Sequence, residues 1–344
     1  MTSPRRAARH PLRISVTLAA TLLSASTLSA CGVLGSPDLV VYNAQHEQLL
    51  DELVPLFEEE SGLDVELRSG KDLELANQLV AEGGDSPADV FLTENSPAMS
   101  IVDNAGLFTS VSDAALEPIP GDYVPSSGNW TGILARSTVA MYNTDAISEA
   151  DMPASILDFA EPEWAGRVGF SPTGADFQAI VSAVLEAEGE EATAAWLEGL
   201  AENGSVLDNN LVVMQSVNEG DVEAGIAYHY YWYRDREENG TDSDNSELYF
   251  FGNQDPGAFL SIFGAGILAS SENQDAAEEF VTWLTSTEAQ QTMAESYALE
   301  YPLNPDASLN PDVKPFDELE PPQVDVSSLN GPQVTELMTA AGLL

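Results

Sequence analysis

The sequence predicts an α/β protein of two lobes joined by crossing strands. The 344 residues are too many for one comfortable hydrophobic core and suit two domains. From residue 39 onward, short apolar runs alternate with amphipathic helical patterns, which is typical of a parallel sheet with helices on both faces. Two apolar runs at residues 132–135 and 138–142 then indicate a crossing from the first lobe to the second.

Residues 1–31 are typical of a bacterial export signal. Four arginines come first, and residues 14–28 form an apolar stretch too short for a stable membrane span. The stretch leads into Leu-Ser-Ala-Cys, which resembles the lipobox of bacterial lipoproteins, so we predict cleavage before Cys31 and lipid on its thiol. The alternative is a lone cysteine after an ordinary signal peptide. Residues 32–37 are then a tether, and no disulfide is expected because Cys31 is the only cysteine.

The charge balance excludes one class of partner. The chain has 57 acidic and 11 basic residues, and four of the basic residues precede Cys31. The exported part therefore keeps 57 acidic and seven basic residues, a net charge of −50 with histidine taken as neutral. Such a surface repels a phosphate backbone, so nucleic acid is excluded. Because the carboxylates are scattered along the chain, adaptation to a salty habitat explains most of them.

Two polar side chains follow strands of the predicted first lobe. Residues 39–42 form a buried strand whose turn carries His46, and a helix then runs to Gly62. A strand at 63–67 and a helix from about Asp72 come next. Residues 88–92 form the third strand, and Glu94 follows it. Because ends of parallel strands share one rim of a sheet, we expect His46 and Glu94 on the same rim.

The second lobe offers two candidate ligand-binding segments. Residues 171–176 form a polar loop before a helix, which is either an anion-binding helix start or an ordinary capped loop. Asn210 lies at the start of another helix. A strand at 224–227 then leads into the aromatic run 228–234, and this strand-to-helix junction is where α/β sheets hold ligands.

The remaining chain returns to the first lobe through residues 255–258. A strand at 262–269 and helices around 275–284 and 287–298 follow, and a last helix lies near 334–341. We place the first lobe at 38–131 plus about 258–300. We place the second lobe at 132–257 plus about 301–344.

The aromatic run suits a ferric ion. Fe(III) is a hard cation that prefers oxygen donors and also accepts imidazole, and a bound cation lowers the pKa of its ligands. Tyr230 and Tyr231 as phenolates, with Glu94, would cancel its three charges, and neutral His46 would add a fourth donor. The two adjacent tyrosines converge only if the chain there is not yet regular helix. A core edge or a carbohydrate platform is the simpler reading of the run alone, and His229 is expected to point away.

Five segments together resemble the bacterial ferric-ion-binding proteins of ABC iron importers, a group of the periplasmic-binding-protein class. The segments are residues 41–46, 88–94, 230–233, 254–258 and 300–303, and the similarity covers about residues 38–305. The resemblance implies a type II-like two-lobe fold with hinge strands, and iron ligands His46, Glu94, Tyr230 and Tyr231. It also implies a monomeric, extracytoplasmic lipoprotein that passes ferric iron, free or chelated, to a membrane permease.

The resemblance further implies a synergistic anion, phosphate or carbonate, that completes the iron shell. The residues it points to are Asn95, Ser171, Thr173, Asn210 and Tyr228. Asn95 stands where glutamine is frequent in the family, and Tyr228 precedes the tyrosine pair where asparagine is frequent. The identity of the anion is therefore open, and Tyr228 is a candidate third phenol.

Two other functions compete with iron capture. An aromatic cluster with carboxylates could cradle an organic cation such as thiamine or a polyamine, and a phosphonate is a related possibility. A secreted enzyme is the rival from another class. The sequence has no G-x-S-x-G, no H-E-x-x-H, no phosphate-binding glycine loop and no catalytic cysteine. Only a hydrolase that uses a carboxylate pair stays open, and we predict that the protein is not an enzyme.

Overall fold

A computed structural model describes residues 36–238 and 240–344. The predicted signal, its Cys31 and residues 32–35 of the tether lie outside the described residues. Residues 37–344 form one compact unit. Within the described ranges, no helix is long and apolar enough to cross a membrane.

The strands form one ten-stranded mixed sheet. Along its main path the order is β2-β1-β3-β9-β4-β7-β5-β6, with β10 and β8 each paired to β4. The strands are β1 (Leu39–Asn43), β2 (Val65–Ser69), β3 (Val90–Thr93), β4 (Trp130–Asn143), β5 (Val168–Phe170), β6 (Ser205–Val206), β7 (Ala224–Tyr228), β8 (Ser246–Tyr249), β9 (Leu260–Ile267) and β10 (Tyr301–Pro302).

Helices cover the sheet on both sides. They are α1 (Glu47–Ser61), α2 (Asp72–Glu82), α3 (Ser96–Asn104), α4 (Asp113–Leu116), α5 (Ala175–Asn203), α6 (Asn210–Glu219), α7 (His229–Glu238), α8 (Gln274–Leu284), α9 (Thr287–Glu295) and α10 (Gly331–Ala340). The long α5 is two helices joined at Gly189, whose φ of 80° lies in the left-handed region that glycine adopts without strain.

The strand β4 joins the two lobes. Its first half pairs with β9 from Trp130 to Ser137, and its second half pairs with β7 and β8 from Thr138 to Asn143. We call the part built on β1, β2, β3 and β9 the first lobe, and the part built on β5 to β8 the second lobe. All 14 residues of β4 are buried, so the crossing is a continuous core strand. The predicted α/β architecture with crossing strands between two lobes is confirmed.

The C-terminal segment packs in two places. Leu303 and Val313 join a core cluster with Tyr42 and Phe91, while Val334 and Met338 of α10 join the cluster that surrounds α5. The predicted lobe boundaries stay a prediction.

The sheet brings the polar ends of β1, β3 and β7 close to one another. The parallel strands β1 and β3 are hydrogen-bonded neighbours, so the residues that follow Asn43 and Thr93 emerge side by side. The strand β7 runs antiparallel to β4 and ends at Tyr228, opposite Thr138, close to the point where β4 changes lobes. The ends of these three strands therefore meet at the boundary between the lobes.

Candidate metal-binding site

The first lobe brings His46 and Glu94 together. His46 caps the start of α1, and Glu94 lies between the end of β3 and the start of α3. The atoms His46 Nε2 and Glu94 Oε1 are 3.4 Å apart. Both side chains are largely buried, with 27% and 19% of their surfaces exposed. The rim expected from the order of the strands is therefore present.

The second lobe places Tyr230 and Tyr231 beside that pair. The ring of Tyr230 lies 5.7 Å from the His46 ring, edge to face, and 4.2 Å from the Tyr231 ring in a stacked arrangement. Our condition that these tyrosines precede regular helix was wrong, because α7 already begins at His229. Both lie in its first turn, and their long rings converge by stacking despite the angle between adjacent helical positions.

Two donor atoms of this group have no hydrogen-bond partner. His46 Nε2 and the Tyr230 hydroxyl are both buried and unbonded among the described residues. Buried polar atoms in proteins are nearly always bonded, so unbonded ones indicate a site for a ligand or an ion. These two atoms are imidazole and phenol donors of the kind that a ferric ion accepts.

Two of the five predicted anion-binding residues, Asn95 and Asn210, donate to a carboxylate of the chain itself, that of Asp176, and a third, Tyr228, donates to the backbone of the same residue. The carboxylate oxygens accept hydrogen bonds from Asn95 Nδ2 at 3.3 Å, Asn210 Nδ2 at 2.7 Å and the Tyr231 hydroxyl at 3.0 Å. The hydroxyl of Tyr228 donates to Asn95 Oδ1 and to the backbone oxygen of Asp176, both at 3.3 Å. Asp176 is 5% exposed and lies in the first turn of α5.

The other two predicted anion-binding residues are placed differently. The Ser171 hydroxyl is buried and donates to the backbone oxygen of Asp208. Thr173 is exposed. Neither is hydrogen-bonded to the asparagines or tyrosines around Asp176 among the described residues.

Arg136 is a site residue that sequence reasoning missed. It is fully buried on β4, and its Nη1 donates to the backbone oxygen of Glu94 at 2.8 Å and contacts Glu94 Oε1 at 3.0 Å. Its Nη2 donates to Gln45 Oε1 at 2.7 Å and Glu300 Oε1 at 3.0 Å. The guanidinium also lies 5.5 Å from the centre of the Tyr230 ring. One cation thus holds the part of the first lobe that carries the candidate ligands His46 and Glu94.

A second missed residue, Asp72, supports the segment that carries Glu94. Its carboxylate accepts from the backbone N–H groups of Glu94 at 2.8 Å and Asn95 at 3.0 Å. Asp72 is 4% exposed. The loop after β3 is therefore held by a carboxylate on one side and by Arg136 on the other.

The electrostatics of the site are dominated by burial. Burial raises the pKa of Asp72 to about 7 and holds the pKa of Glu94 well above its usual range, although Arg136 opposes the shift of both. Burial likewise raises the pKa of the Tyr230 and Tyr231 hydroxyls. It lowers the pKa of His46 to about 3, helped by Arg136 and Arg234. His46 is consequently neutral at physiological pH, the form that binds a metal.

His229 points away from this group, as expected. Its Nδ1 accepts the Ser137 backbone N–H at 3.2 Å, and its Nε2 lies 3.0 Å from the Leu299 backbone oxygen. This pair of contacts requires a neutral ring with its proton on Nε2. The ring stacks on Tyr301 at 4.7 Å. His229 therefore has a structural role between the lobes.

The candidate donor set depends on phenols. Over the described ranges, no three His, Cys, Asp or Glu side chains are grouped closely enough to hold a metal by themselves. A hard trivalent ion that accepts phenolate oxygen fits these donors.

Known proteins of one family match the chain over most of its length. The family of bacterial extracellular solute-binding proteins matches residues 85–325. The Fe(3+)-binding periplasmic protein of Serratia marcescens is 49% identical over 97% of this chain and 99% of its own. The chain belongs to this family. It is a solute-binding protein that acts outside the cytoplasm, and not an enzyme.

The predicted resemblance to ferric-ion-binding proteins is confirmed by two further matches. The major ferric iron-binding protein of Neisseria meningitidis serogroup A is 35% identical over 94% of this chain and 97% of its own. The crystal structure of iron-bound HitA from Pseudomonas aeruginosa superposes with a TM-score of 0.83 at 37% identity, covering 88% of this chain and 99% of that one. The solute-binding protein described here therefore has their two-lobe fold.

Proposed function

We propose that this solute-binding protein captures ferric iron in the cleft between its lobes and delivers it to an ABC permease. The observation that carries the proposal is the pair of buried, unbonded donors, His46 Nε2 and the Tyr230 hydroxyl, beside Glu94 and Tyr231. Relatives that match the chain end to end are named for ferric iron.

The charges of the proposed ligands suit a trivalent ion. Phenolates of Tyr230 and Tyr231 with the carboxylate of Glu94 supply three negative charges, and His46 supplies a neutral nitrogen. The pKa values of both phenols are raised by burial in the absence of metal, so the ion itself must lower them when it binds. Iron binding therefore releases protons and strengthens as the pH rises.

We propose that Asp176 takes the place of the synergistic anion. The Asn95 and Asn210 amides already donate to Asp176, so an added phosphate would have to displace a carboxylate from its donors. Two oxygens bound at right angles to one small octahedral ion with bonds of about 2.0–2.1 Å lie about 2.9 Å apart. The 3.0 Å between the Tyr231 hydroxyl and Asp176 Oδ2 fits that arrangement.

We place His46, Glu94, Tyr230, Tyr231 and Asp176 in the proposed iron shell, with one position left open. His46, Glu94 and Asp176 would have to come closer together when the ion binds, because no three such side chains of the described residues are grouped closely enough to hold a metal.

Delivery follows from the arrangement of the lobes. Because the ligands come from both lobes, the ion favours the closed form, and that form is what a permease would recognise. Lipid on Cys31 would keep the protein, as a monomer, at the outer face of the membrane that holds the permease.

An absorption titration of the iron-stripped protein with ferric citrate tests the proposal. A visible phenolate-to-iron charge-transfer band should rise and saturate at one iron per protein. Tyr230→Phe and Tyr231→Phe should each weaken iron affinity by more than about a hundredfold, since each removes a charged ligand.

Tyr233→Phe is the matched control. Tyr233 belongs to the same aromatic run, but its hydroxyl accepts the backbone N–H of Lys314 instead of facing the candidate ligands. Its removal should leave the band and the affinity as in the parent protein. A titration with no visible band, or a band unchanged in Tyr230→Phe, would contradict iron capture by the tyrosines.

A further inference from the structure

Two guanidinium groups lie against the ring of Tyr230, one of the proposed iron ligands. The guanidinium carbon of Arg136 is 5.5 Å from the ring centre, and that of Arg234 is 5.7 Å from it. Arg136 comes from β4, whereas Arg234 lies on α7, one turn after Tyr230 and on the same face of that helix. The ring that would carry a phenolate therefore has two positive charges beside it.

The two cations differ in their pairing. Arg136 contacts Glu94 Oε1 and Glu300 Oε1, both at 3.0 Å, so its charge is compensated. The other arginines of the described chain also pair with carboxylates, namely Arg68, Arg167 and Arg236. No ion pair or hydrogen bond joins the Arg234 side chain to any described residue, although the chain has 57 acidic residues. The charge of Arg234 is thus left uncompensated next to the candidate site.

Aromatic rings hold this uncompensated charge in place. The Arg234 guanidinium is 4.4 Å from the centre of the Tyr297 ring, which belongs to the first lobe. The Tyr297 ring in turn lies 6.5 Å from the His46 ring. Arg234 is half-buried, so solvent screens its charge only in part. The guanidinium therefore acts electrostatically on an ion bound by His46 and Tyr230.

A fixed cation beside a metal site acts against the metal. The repulsion grows with the charge of the bound ion, so a guanidinium disfavours Fe(III) more than Fe(II). A site that only had to retain ferric iron would gain affinity if a carboxylate neutralised this charge, and the chain is rich in carboxylates. The uncompensated charge of Arg234 instead shifts the balance of binding toward the reduced ion.

We infer that Arg234 raises the reduction potential of the bound iron and thereby assists its release by one-electron reduction. The inference rests on the proposed iron site, and Arg234 acts there through its charge and not as a ligand. A reduced flavin is the class of donor that would supply the electron, so that Fe(III) becomes Fe(II) and the flavin loses one electron. The two phenolates would each take up one proton from solvent as Fe(II) leaves.

The alternative role for Arg234 is that of a clasp, which only holds the lobes together through the Tyr297 ring. The two roles predict opposite effects when the guanidinium is removed. Loss of the charge stabilises Fe(III) and lowers the potential at which the iron is reduced. Loss of a clasp loosens the closed form and weakens the binding of Fe(III), which needs ligands from both lobes, so it raises that potential. The direction of the change therefore distinguishes the two roles.

Spectroelectrochemistry of the iron-loaded protein tests the inference. Redox mediators set the potential in a fixed excess of ferrous ion, and the charge-transfer band reports the fraction of ferric iron. In Arg234→Gln the ratio of Fe(III) to Fe(II) affinity should rise about tenfold, which lowers the midpoint by about 59 mV for one electron. A unit charge acting over about 12 Å at an effective dielectric constant of about 20 has this effect. Arg234→Lys, which keeps the charge, should stay close to the parent.

Arg236→Gln is the matched control, because it removes a positive charge two residues away that pairs with Asp244 and Glu247 outside the site. Its midpoint should match that of the parent protein. A midpoint that is unchanged or raised in Arg234→Gln would overturn the inference and leave iron capture standing. An equal fall in Arg236→Gln would also overturn it, since the effect would then be one of overall charge. If the parent shows no charge-transfer band, iron capture and the inference both fail.

Discussion

On the first lobe, the candidate ligands are held by a cation, and on the second lobe they are held around an anion. Arg136 contacts Glu94 twice, and it also donates to Gln45 Oε1, which accepts the backbone N–H of His46. Asp176 accepts from Tyr231 and Asn210 instead. The first half of the site is thus paired before any metal binds.

The second half is the one that changes when a cation arrives. Among the described residues, Asp176 forms hydrogen bonds but no ion pair. Burial raises the pKa of its carboxyl, and the charge of Arg136 and these hydrogen bonds oppose that shift. Asn95 links the two halves, because it belongs to the first lobe and donates to Asp176 across the boundary. The candidate ligands of the first lobe are therefore held in place without a metal. The second lobe carries the carboxylate whose charge a bound iron ion would neutralise.

The largest effect is expected when the cation of the first half is removed. Arg136→Met leaves Glu94 and the fully buried Glu300 without their partner, and breaking a buried pair in this way costs about 3–5 kcal/mol. The free energy of unfolding, measured by urea denaturation of the iron-free protein, should fall by that amount.

Arg167→Met provides the comparison for that measurement. The pair Arg167–Glu223 is 37% and 31% exposed, so its loss should cost about 0–1 kcal/mol. Equal losses in the two variants would contradict the view that Arg136 holds the first half.

The next effect concerns the anion of the second half. Asp176→Ala should weaken iron affinity by about a hundredfold, since it removes a proposed ligand and the acceptor of the Tyr231 hydroxyl. Added acetate or phosphate should restore part of the affinity by occupying the vacated position. Titration in buffers with and without these anions measures both effects.

Asp208→Ala is the control for this variant, because Asp208 is an exposed aspartate of the same lobe. It should bind iron like the parent in either buffer. If the parent itself needs added phosphate to bind iron, Asp176 does not replace the anion.

Much of this comparison between the lobes follows from the sequence, but the roles of its two central charged residues, Arg136 and Asp176, do not. Strand ends predict that His46 and Glu94 meet, because parallel neighbours share a rim, and a strand-to-helix junction predicts where Tyr230 and Tyr231 lie. These are local patterns. Arg136 stands between two apolar runs, which signals a buried charge. Its partner Glu300 is 164 residues away, and no local pattern reveals that pairing.

Asp176 was missed for a related reason. The loop before α5 reads as a source of amide and hydroxyl donors, and the carboxylate at its end has no distinctive neighbours in sequence. Its partner Asn95 lies 81 residues away on the other lobe. The donors attributed to an external anion stay a prediction, and the acceptor that Asn95 and Asn210 have in the structure could be recognised only after folding.

A third effect tests how completely His229, which lies between the two halves of the site, is excluded from solvent. Burial lowers the pKa of His229 from 6.5 to about 3, so between these pH values the unfolded chain binds one more proton at this residue than the folded protein. The free energy of unfolding should therefore rise with pH there by about 1.4 kcal/mol per pH unit. Buried acids with a raised pKa, such as Asp72 at about 7, act in the opposite sense above about pH 4.

Comparison with a variant isolates the contribution of His229. Urea denaturation at several pH values should show that His229→Gln lowers the slope near pH 5 by about 1.4 kcal/mol per pH unit relative to the parent. His46→Gln should lower it by a similar amount, because the pKa of His46 is also lowered to about 3. An unchanged slope in His229→Gln would mean that the buried ring is protonated, with its contact to Ser137 broken.

The smallest effect concerns the link between the halves. The Ser261 hydroxyl is fully buried and donates to Asn95 Oδ1 at 2.7 Å, and that oxygen also accepts from Tyr228 at 3.3 Å. Ser261→Ala should cost about 1 kcal/mol of unfolding free energy, because the acceptor keeps one donor. Since Asn95 can still donate to Asp176, iron affinity should fall by less than about tenfold. A loss as large as that of Asp176→Ala would show that the orientation of Asn95, and not the carboxylate, governs the second half.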